Sequence, residues 1–285
     1  MKIKITADSI VDLWPEYIKE NDITLVPFYI TLGSDEYIDG VTCVPDDIYK
    51  FVEKTSILPK TAAVSQERFK KIFEEYSKEY DAVIHFNISS DMSVSYQNAC
   101  AAAEGFNNVY VIDSMNLSSA VGLLVMHAVD LRNSGLSAPE IVEDIKKRIP
   151  YVQASFVIDK LDYLHKGGRC SSLTLLGANM LKIKPSIEVH NGKMGIGKKY
   201  IGAFRKCLMK YIKDTLETYN NPDYTRVMIT HTLVSDECRK EVYDYVKSHT
   251  SFAEIYDTSA GCTITSHCGP NTFGILYIND GRSQK

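Results

Sequence analysis

The chain has 285 residues, 45% of them apolar and 24% charged, with a formal net charge of −4. That is the composition of an ordinary globular protein, long enough for one large domain or two modest ones, and its scattered basic residues give no electrostatic case for nucleic-acid binding. No run approaches the ~20 apolar residues of a membrane span, the start lacks the apolar region of a signal peptide, and seven spread cysteines contain no Cys-x-x-Cys pair, so a reduced, cytoplasmic protein is expected.

Residues 2–7 read as a strand ending at Asp8-Ser9, and 12–20 as a helix with Asp12 as its N-cap. Residues 23–32 are β-rich and mostly apolar. Pro45-Asp46-Asp47 opens a helix through Lys54, with proline and acids in its first turn, and Ser65 precedes a helix over 67–78. Strand 82–88 leads to helix 95–104, then strand 109–112 ends at Asp113-Ser114. Helix 118–134 stops at Gly135, and Ser137-Ala138-Pro139-Glu140 starts the next, through Arg148. The cluster Lys146-Lys147-Arg148 suits a helix C-terminus. This alternation predicts a mostly parallel sheet for the first half.

The second half reads as α+β. Residues 154–158 form a strand and 159–165 a short helix. Asn191-Gly192 between two alternating runs, 186–190 and 193–196, is a strong hairpin signal. A helix at 203–219, strand 225–231, helix 236–248 and strands near 252–257 and 273–278 complete it. Pro150 marks the expected boundary, giving an N-terminal α/β domain over 1–150 and a C-terminal α+β domain over 151–285, with their interface a candidate pocket.

The segment Ser89-Ser90-Asp91-Met92-Ser93-Val94-Ser95 crowds four serines into a strand-to-helix turn. In a parallel sheet that turn lies at the carboxyl end of the strand, where such folds bind ligands. Free helix N–H groups with hydroxyls beside them favour an anion, so Ser93 marks a candidate carboxylate or phosphate site; a simple helix cap is the plainer reading. Ser93 and His267 also admit a nucleophile and base, although no Gly-x-Ser-x-Gly occurs. Cys262, His267 and Cys268 could ligate a metal or be reduced structural residues. Asp8 and Asp113 could share a metal, but capping of turns is the commoner use. Gly192, Gly195, Gly197 and Gly202 follow a hairpin turn, so they read as strand and bulge glycines rather than a phosphate loop. Gly167-Gly168 reads as a helix stop, and Arg169 could compensate a half-buried anion.

Taken in order, several pieces resemble the DegV family of bacterial fatty-acid-binding proteins. They are Asp8-Ser9-Ile10-Val11-Asp12, Asp39-Gly40-Val41, Thr61-Ala62-Ala63-Val64-Ser65, Ser93-Val94-Ser95-Tyr96-Gln97-Asn98-Ala99, Ile112-Asp113-Ser114, the run from Leu161 to Arg169, Ile183-Lys184-Pro185 and His267-Cys268-Gly269-Pro270. The resemblance spans nearly the whole chain. It implies a two-domain α/β fold that binds one long-chain fatty acid, such as palmitate, stearate or oleate, in an interior tunnel near the domain interface. It implies that Thr61, Ser93 and His267 hold the carboxylate, with Arg169 nearby, and that no metal or other cofactor is needed. The best-understood members are B subunits of a bacterial fatty-acid kinase, which present the acid to a separate kinase chain for acyl-phosphate formation and phospholipid synthesis. The chain would then be a carrier rather than an enzyme, touching a membrane at most transiently; the rival reading is an acyl hydrolase using Ser93 and His267. Two departures stand out. Val94 replaces the family's usual glycine, and Ala62-Ala63-Val64 replaces its Ser-Gln-Pro. The stretch after Gly192 also lacks a clear counterpart of the basic residues usual there, which bears on docking to a kinase.

Overall fold

In the computed structural model, which describes residues 1–174 and 183–282, the opening run forms β1 (Ile3–Asp8) and the run before the serine-rich turn forms β6 (Ala82–Asn87), and every residue of both is buried. Such strands belong to a sheet covered on both faces. β1 and β6 are the central strands of a sheet ordered β2-β1-β6-β7, with β2 (Ile23–Val26) and β7 (Val109–Asp113) at its edges. All its pairings are parallel, as the strand–helix alternation predicts. The helices between the strands carry the capping that the sequence signals. Ser65 Oγ accepts the Arg68 N–H ahead of α3 (Gln66–Glu79), and Ser137 and Glu140 form a capping box on α6 (Ala138–Arg148).

α5 (Ser119–Asn133) is buried at every residue from Ser119 to Val129. A helix with no polar face must be covered all round. It packs on β1 and β6 and also on three strands of the second sheet: β8 (Val152–Ile158), β11 (Arg226–His231) and β13 (Thr272–Ile278). The second sheet runs β10-β9-β8-β13-β11-β12, with β9 (Lys184–His190), β10 (Lys193–Tyr200) and β12 (Glu254–Ser259). Its pairings are antiparallel except β11 with β12. Along β13, Phe273, Ile275 and Tyr277 join a core with α8 (Phe204–Thr218) and α9 (Asp236–His249). Leu276 and Ile278 face the other way, into the core shared with α5 and the parallel sheet. That alternation is the pleat of a strand buried on both faces. The result is a two-domain α/β fold, with the parallel sheet in the first domain and the mixed sheet in the second. No helix among the described residues is long and apolar enough to cross a membrane.

Three local expectations change. Residues 23–32 are two strands rather than one. The chain leaves the parallel sheet at Pro27, which has no N–H for a ladder, and β3 (Tyr29–Leu32) pairs instead with β4 (Asp35–Ile38) and β5 (Lys60–Ala62) in a small antiparallel sheet backed by α2 (Pro45–Thr55). Asp12 is not the N-cap of the helix that follows it. It sits at φ 51° after a 3-10 turn, and α1 (Pro15–Glu20) starts on its own proline. The short helix predicted from 159 begins later, as α7 (Asp162–Gly167), and residues 262–268, assigned to no element by sequence, form α10 (Cys262–Cys268).

The hairpin forms as read. Asn191 and Gly192 have φ of 49° and 80°, the two left-handed positions of a type I′ turn. Gly197 lies where the β9–β10 register shifts, between Ile196 and Lys199. The hairpin tip rests on the serine-rich turn, with Ser89 Oγ donating to the Gly192 carbonyl at 2.7 Å.

Candidate functional site

The serine-rich turn occupies the carboxyl end of β6. Buried Asp8 at the end of β1 holds both sides of it. Its carboxylate accepts the Ile88 N–H at 2.9 Å, the Asn87 amide at 3.1 Å and the Ser95 hydroxyl at 3.2 Å. Asp113 accepts the Ser90 and Met115 N–H groups at 3.2 and 3.0 Å. Both acids therefore serve turns. Among the described residues no group of three or more His, Cys, Asp or Glu side chains could hold a metal ion.

Ser93 Oγ accepts the Ser95 N–H at 3.2 Å, at the start of α4 (Ser95–Ala103). Its own proton is left to donate. Thr61 lies on β5, and its Oγ1 meets His267 Nε2 at 2.8 Å. Arg169, past the end of α7, is exposed. Its Nη1 donates to the Gly167 carbonyl at 2.6 Å, and its Nε reaches the Met92 carbonyl at 3.5 Å, next to Ser93. All four residues line one cavity of about 310 Å³. That volume is at the lower end of the ~300–1,000 Å³ usual for small-molecule sites. The rest of its wall is largely apolar and includes Phe28, Ile88, Leu117, Leu164, Met194 and Ile264.

His267 is wedged edgewise. Nε2 faces Thr61, and on the other edge a Cβ placed on Gly167 would come within 2.4 Å of Nδ1. Among the described residues Nδ1 has no hydrogen-bond partner. Burial, and then the positive charge of Arg169, pull the imidazole down to about 4 from its ordinary value near 6.5, so the ring is neutral at pH 7. A serine-hydrolase arrangement would need the ring on Ser93 and an acid on its other nitrogen. Here the ring bonds Thr61 instead, and no acid among the described residues meets Nδ1.

Leu117, Ile264 and Cys268 also line a second, narrow chamber of about 30 Å³ against the mixed sheet, walled by Phe156, Val189 and Leu276. The polar cavity thus backs onto an apolar one through three shared side chains. Sequence reading placed Thr61, Ser93, His267 and Arg169 as site residues, and the fold brings all four to one cavity. It missed Gly167, whose missing side chain makes room for the ring and which passes in sequence for a helix stop. It also missed α10, whose Thr-Ile-Thr run has little helix propensity.

Comparison with known proteins gives a consistent picture. The family model described as an uncharacterised protein of the DegV family matches residues 2–280. A DegV domain-containing protein of Clostridium acetobutylicum is 34% identical over 283 residues, covering 97% of this chain and 98% of that one. A stearic-acid-binding protein of Eubacterium ventriosum has a solved structure with a TM-score of 0.86 and 26% identity, covering 98% of this chain and 99% of the other. The fatty acid kinase (Fak) B3 protein of Streptococcus pneumoniae, solved loaded with linoleic acid, has a TM-score of 0.84 over 98% of this chain and 100% of that one; at 22% identity the likeness speaks for the shared fold. With a family model over almost its whole length and a relative at 34% identity, the chain belongs to the DegV family.

Proposed function

We propose that this protein is a carrier that binds one long-chain fatty acid. Thr61, Ser93 and His267 hold the carboxylate, Arg169 balances its charge, and the acyl chain runs past Leu117 and Ile264 into the chamber against the mixed sheet. The observation that carries this reading is the junction of the two cavities. Hydroxyls, a ring and a guanidinium gather in the larger cavity, and an apolar chamber of about 30 Å³ lies behind its wall of Leu117, Ile264 and Cys268, which must shift to admit the tail. The stearic-acid-binding relative supports the choice of ligand.

The energetics divide between head and tail. A sixteen-carbon acid buries about fourteen methylenes, a gross gain of roughly 11 kcal/mol at ~0.8 kcal/mol each. Ordering the chain and losing its free motion subtract much of that. The tail supplies affinity and the head contacts set direction. A carboxylate among apolar walls needs donors, and the Ser93 hydroxyl, the Thr61–His267 pair and Arg169 can provide them. The cavity takes residues from both halves of the chain, so the acid sits across the junction of the proposed domains 1–150 and 151–285.

The same reading gives the protein a partner. The chain has no Walker-type phosphate loop, and phosphoryl transfer requires a cradle for ATP. A separate kinase chain would phosphorylate the bound acid, as the name of the linoleate-loaded Streptococcus protein suggests for that protein. Seven free thiols fit a reducing cytoplasm for this carrier.

The test is mass spectrometry of the intact purified protein, native and after organic extraction, with Thr61→Ala and Ser93→Ala beside it. The expected result is a stoichiometric C14–C18 acid that both variants lose more readily while staying folded. Unchanged retention in both variants refutes the head-group assignment. An empty protein that takes up neither oleate nor palmitate refutes the carrier.

A further inference from the structure

His267 sits in the last turn of α10, a seven-residue helix too short and too β-branched to hold its own shape. Its first N–H groups have no intrahelical partners. Two buried acids from remote parts of the chain take them. Asp12 accepts the Gly261 N–H at 2.8 Å and the Ser118 hydroxyl. Asp39 accepts the Cys262 N–H at 3.0 Å and the hydroxyls of Thr263 at 2.7 Å and Ser9 at 2.8 Å. Asp39 directly follows β4, in the small sheet that also carries Thr61. Its backbone N–H returns to the carbonyl of Phe28, a wall residue of the cavity. A closed circuit results: Thr61 to its sheet, the sheet to Asp39, Asp39 to the start of α10, and the end of α10 back to Thr61 through His267.

We propose that Asp39, seconded by Asp12, is a positioning residue for ligand binding, fixing the axial position and roll of α10 so that the His267 ring meets Thr61. The proposal rests on the head-group reading above. Burying two carboxylates with no cation among the described residues paired to either is expensive, and burial pushes Asp12 up to about 7. A fold that needed only a cap could use the uncharged hydroxyl that Ser65 and Ser235 supply elsewhere. One carboxylate, by contrast, takes a backbone N–H and a hydroxyl from α10 and a second hydroxyl, that of Ser9, from just past the end of β1 at once. The helix it fixes also carries Ile264, which separates the two cavities, so a small shift of α10 changes both the head site and the passage for the tail.

The test is a double-mutant cycle on the full chain, reading oleate dissociation constants for wild type, Asp39→Ala, His267→Ala and the double variant. It is joined to the His267 imidazole signal in heteronuclear NMR of the delipidated protein. The expected result for Asp39→Ala is about tenfold weaker binding, the loss of one charge-assisted contact, that largely vanishes when His267 is already alanine. The His267 signal should shift while those of exposed His165 and His190 stay in place. Asp39→Asn keeps an acceptor for the Cys262 N–H, leaves hydroxyls able to rotate, and should recover most of the affinity; it also serves if the alanine variant does not fold. Multiplicative losses in the cycle, or an unmoved His267 signal, overturn the proposal. Wild-type affinity in His267→Ala would instead overturn the head-group reading, while the NMR signal still decides whether Asp39 sets the ring.

Discussion

Gly167 and Gly168 are neighbours with opposite reasons to be glycine, and alanine at each separates them. Gly168 has φ of 71° and open space where a Cβ would stand. Alanine there meets only backbone strain, about 1–2 kcal/mol for a left-handed residue. Gly167 is helical, and its Cβ would lie 2.4 Å from His267 Nδ1 and 3.3 Å from the adjoining ring carbon. Restoring an ordinary contact of ~3.5 Å requires the ring or the end of α7 to move by about 1 Å. The ring cannot retreat straight back, because Nε2 is already 2.8 Å from Thr61 on its far edge. It must tilt, and a tilt of that size takes the ring off Thr61. Overpacking of this kind costs about 1–3 kcal/mol in stability. Loss of the head contact should weaken fatty-acid binding about tenfold, the value of one charge-assisted hydrogen bond. Thermal unfolding and competitive displacement of a fluorescent fatty acid give both readings. Gly168→Ala should lower the melting temperature and leave affinity within about twofold, a few tenths of a kcal/mol. Gly167→Ala should lower both. If Gly167→Ala binds like wild type, or Gly168→Ala is the weaker binder, the ring is not held as described.

Other outcomes follow from buried charge. Arg148 is 2% exposed and bonds Asp223 at 2.9 Å and Asp280 at 2.8 Å, both nearly as buried. Arg148→Ala takes the guanidinium from buried Asp223 and leaves Asp280 with Arg282 alone, and should cost about 3–5 kcal/mol in denaturant unfolding, with oleate affinity unchanged in the folded fraction; a loss under 1 kcal/mol would mean water reaches the cluster. His267 supplies a pH test. Its folded value of about 4 lies below its ordinary value near 6.5, so below 6.5 the unfolded chain takes up a proton that the folded one refuses. The neutral ring's contribution is present above pH 6.5 and lost as pH falls toward 4, roughly 3 kcal/mol at most. The stability difference between wild type and His267→Gln should shrink across that window, and a flat difference would show the ring to be freely protonated.

The sequence announced this fold wherever the signal was local. β1 alternates apolar and polar residues at strand spacing, and β6 opens on three apolar residues, Ala82-Val83-Ile84. Asn191-Gly192 has one comfortable turn, and Ser65 and the Ser137–Glu140 pair are caps readable within four residues. What stayed illegible depends on partners far along the chain. α10 is helical because Asp12 and Asp39 hold its N-terminus across 249 and 223 residues, and nothing in Cys-Thr-Ile-Thr-Ser-His-Cys says so. Asp12 looked like a cap for the same reason: an acid before a helix is locally plausible, and its engagement by Ser118 and Gly261 is not visible in one dimension. Ser93 and Arg169 read as anion contacts from their own turns, whereas Thr61 and the carboxylate role of His267 came from motif resemblance. Their convergence on one cavity, and the edgewise clamp on His267 by Gly167, arise only from contacts between segments far apart in the chain.

The exposure of the site bears on how a carrier of this kind could release its cargo. Arg169 is exposed, Thr61, Ser93 and His267 are half-buried, and Val94 beside Ser93 is 61% exposed. The chamber proposed for the tail lies deeper, against strands of the mixed sheet that are buried throughout. A ligand bound with its head at Ser93 would therefore show its carboxylate at the rim and hide its chain. That polarity suits transfer of a group onto the carboxylate and does not suit release of the tail first. A neutral His267 matters here as well. The carboxylate brings the only new charge to a site whose cation, Arg169, is already in water, so part of the desolvation cost on binding is avoided. A second protein chain could then reach the carboxylate without opening the chamber, and the methylenes that supply most of the affinity would stay buried while it did so.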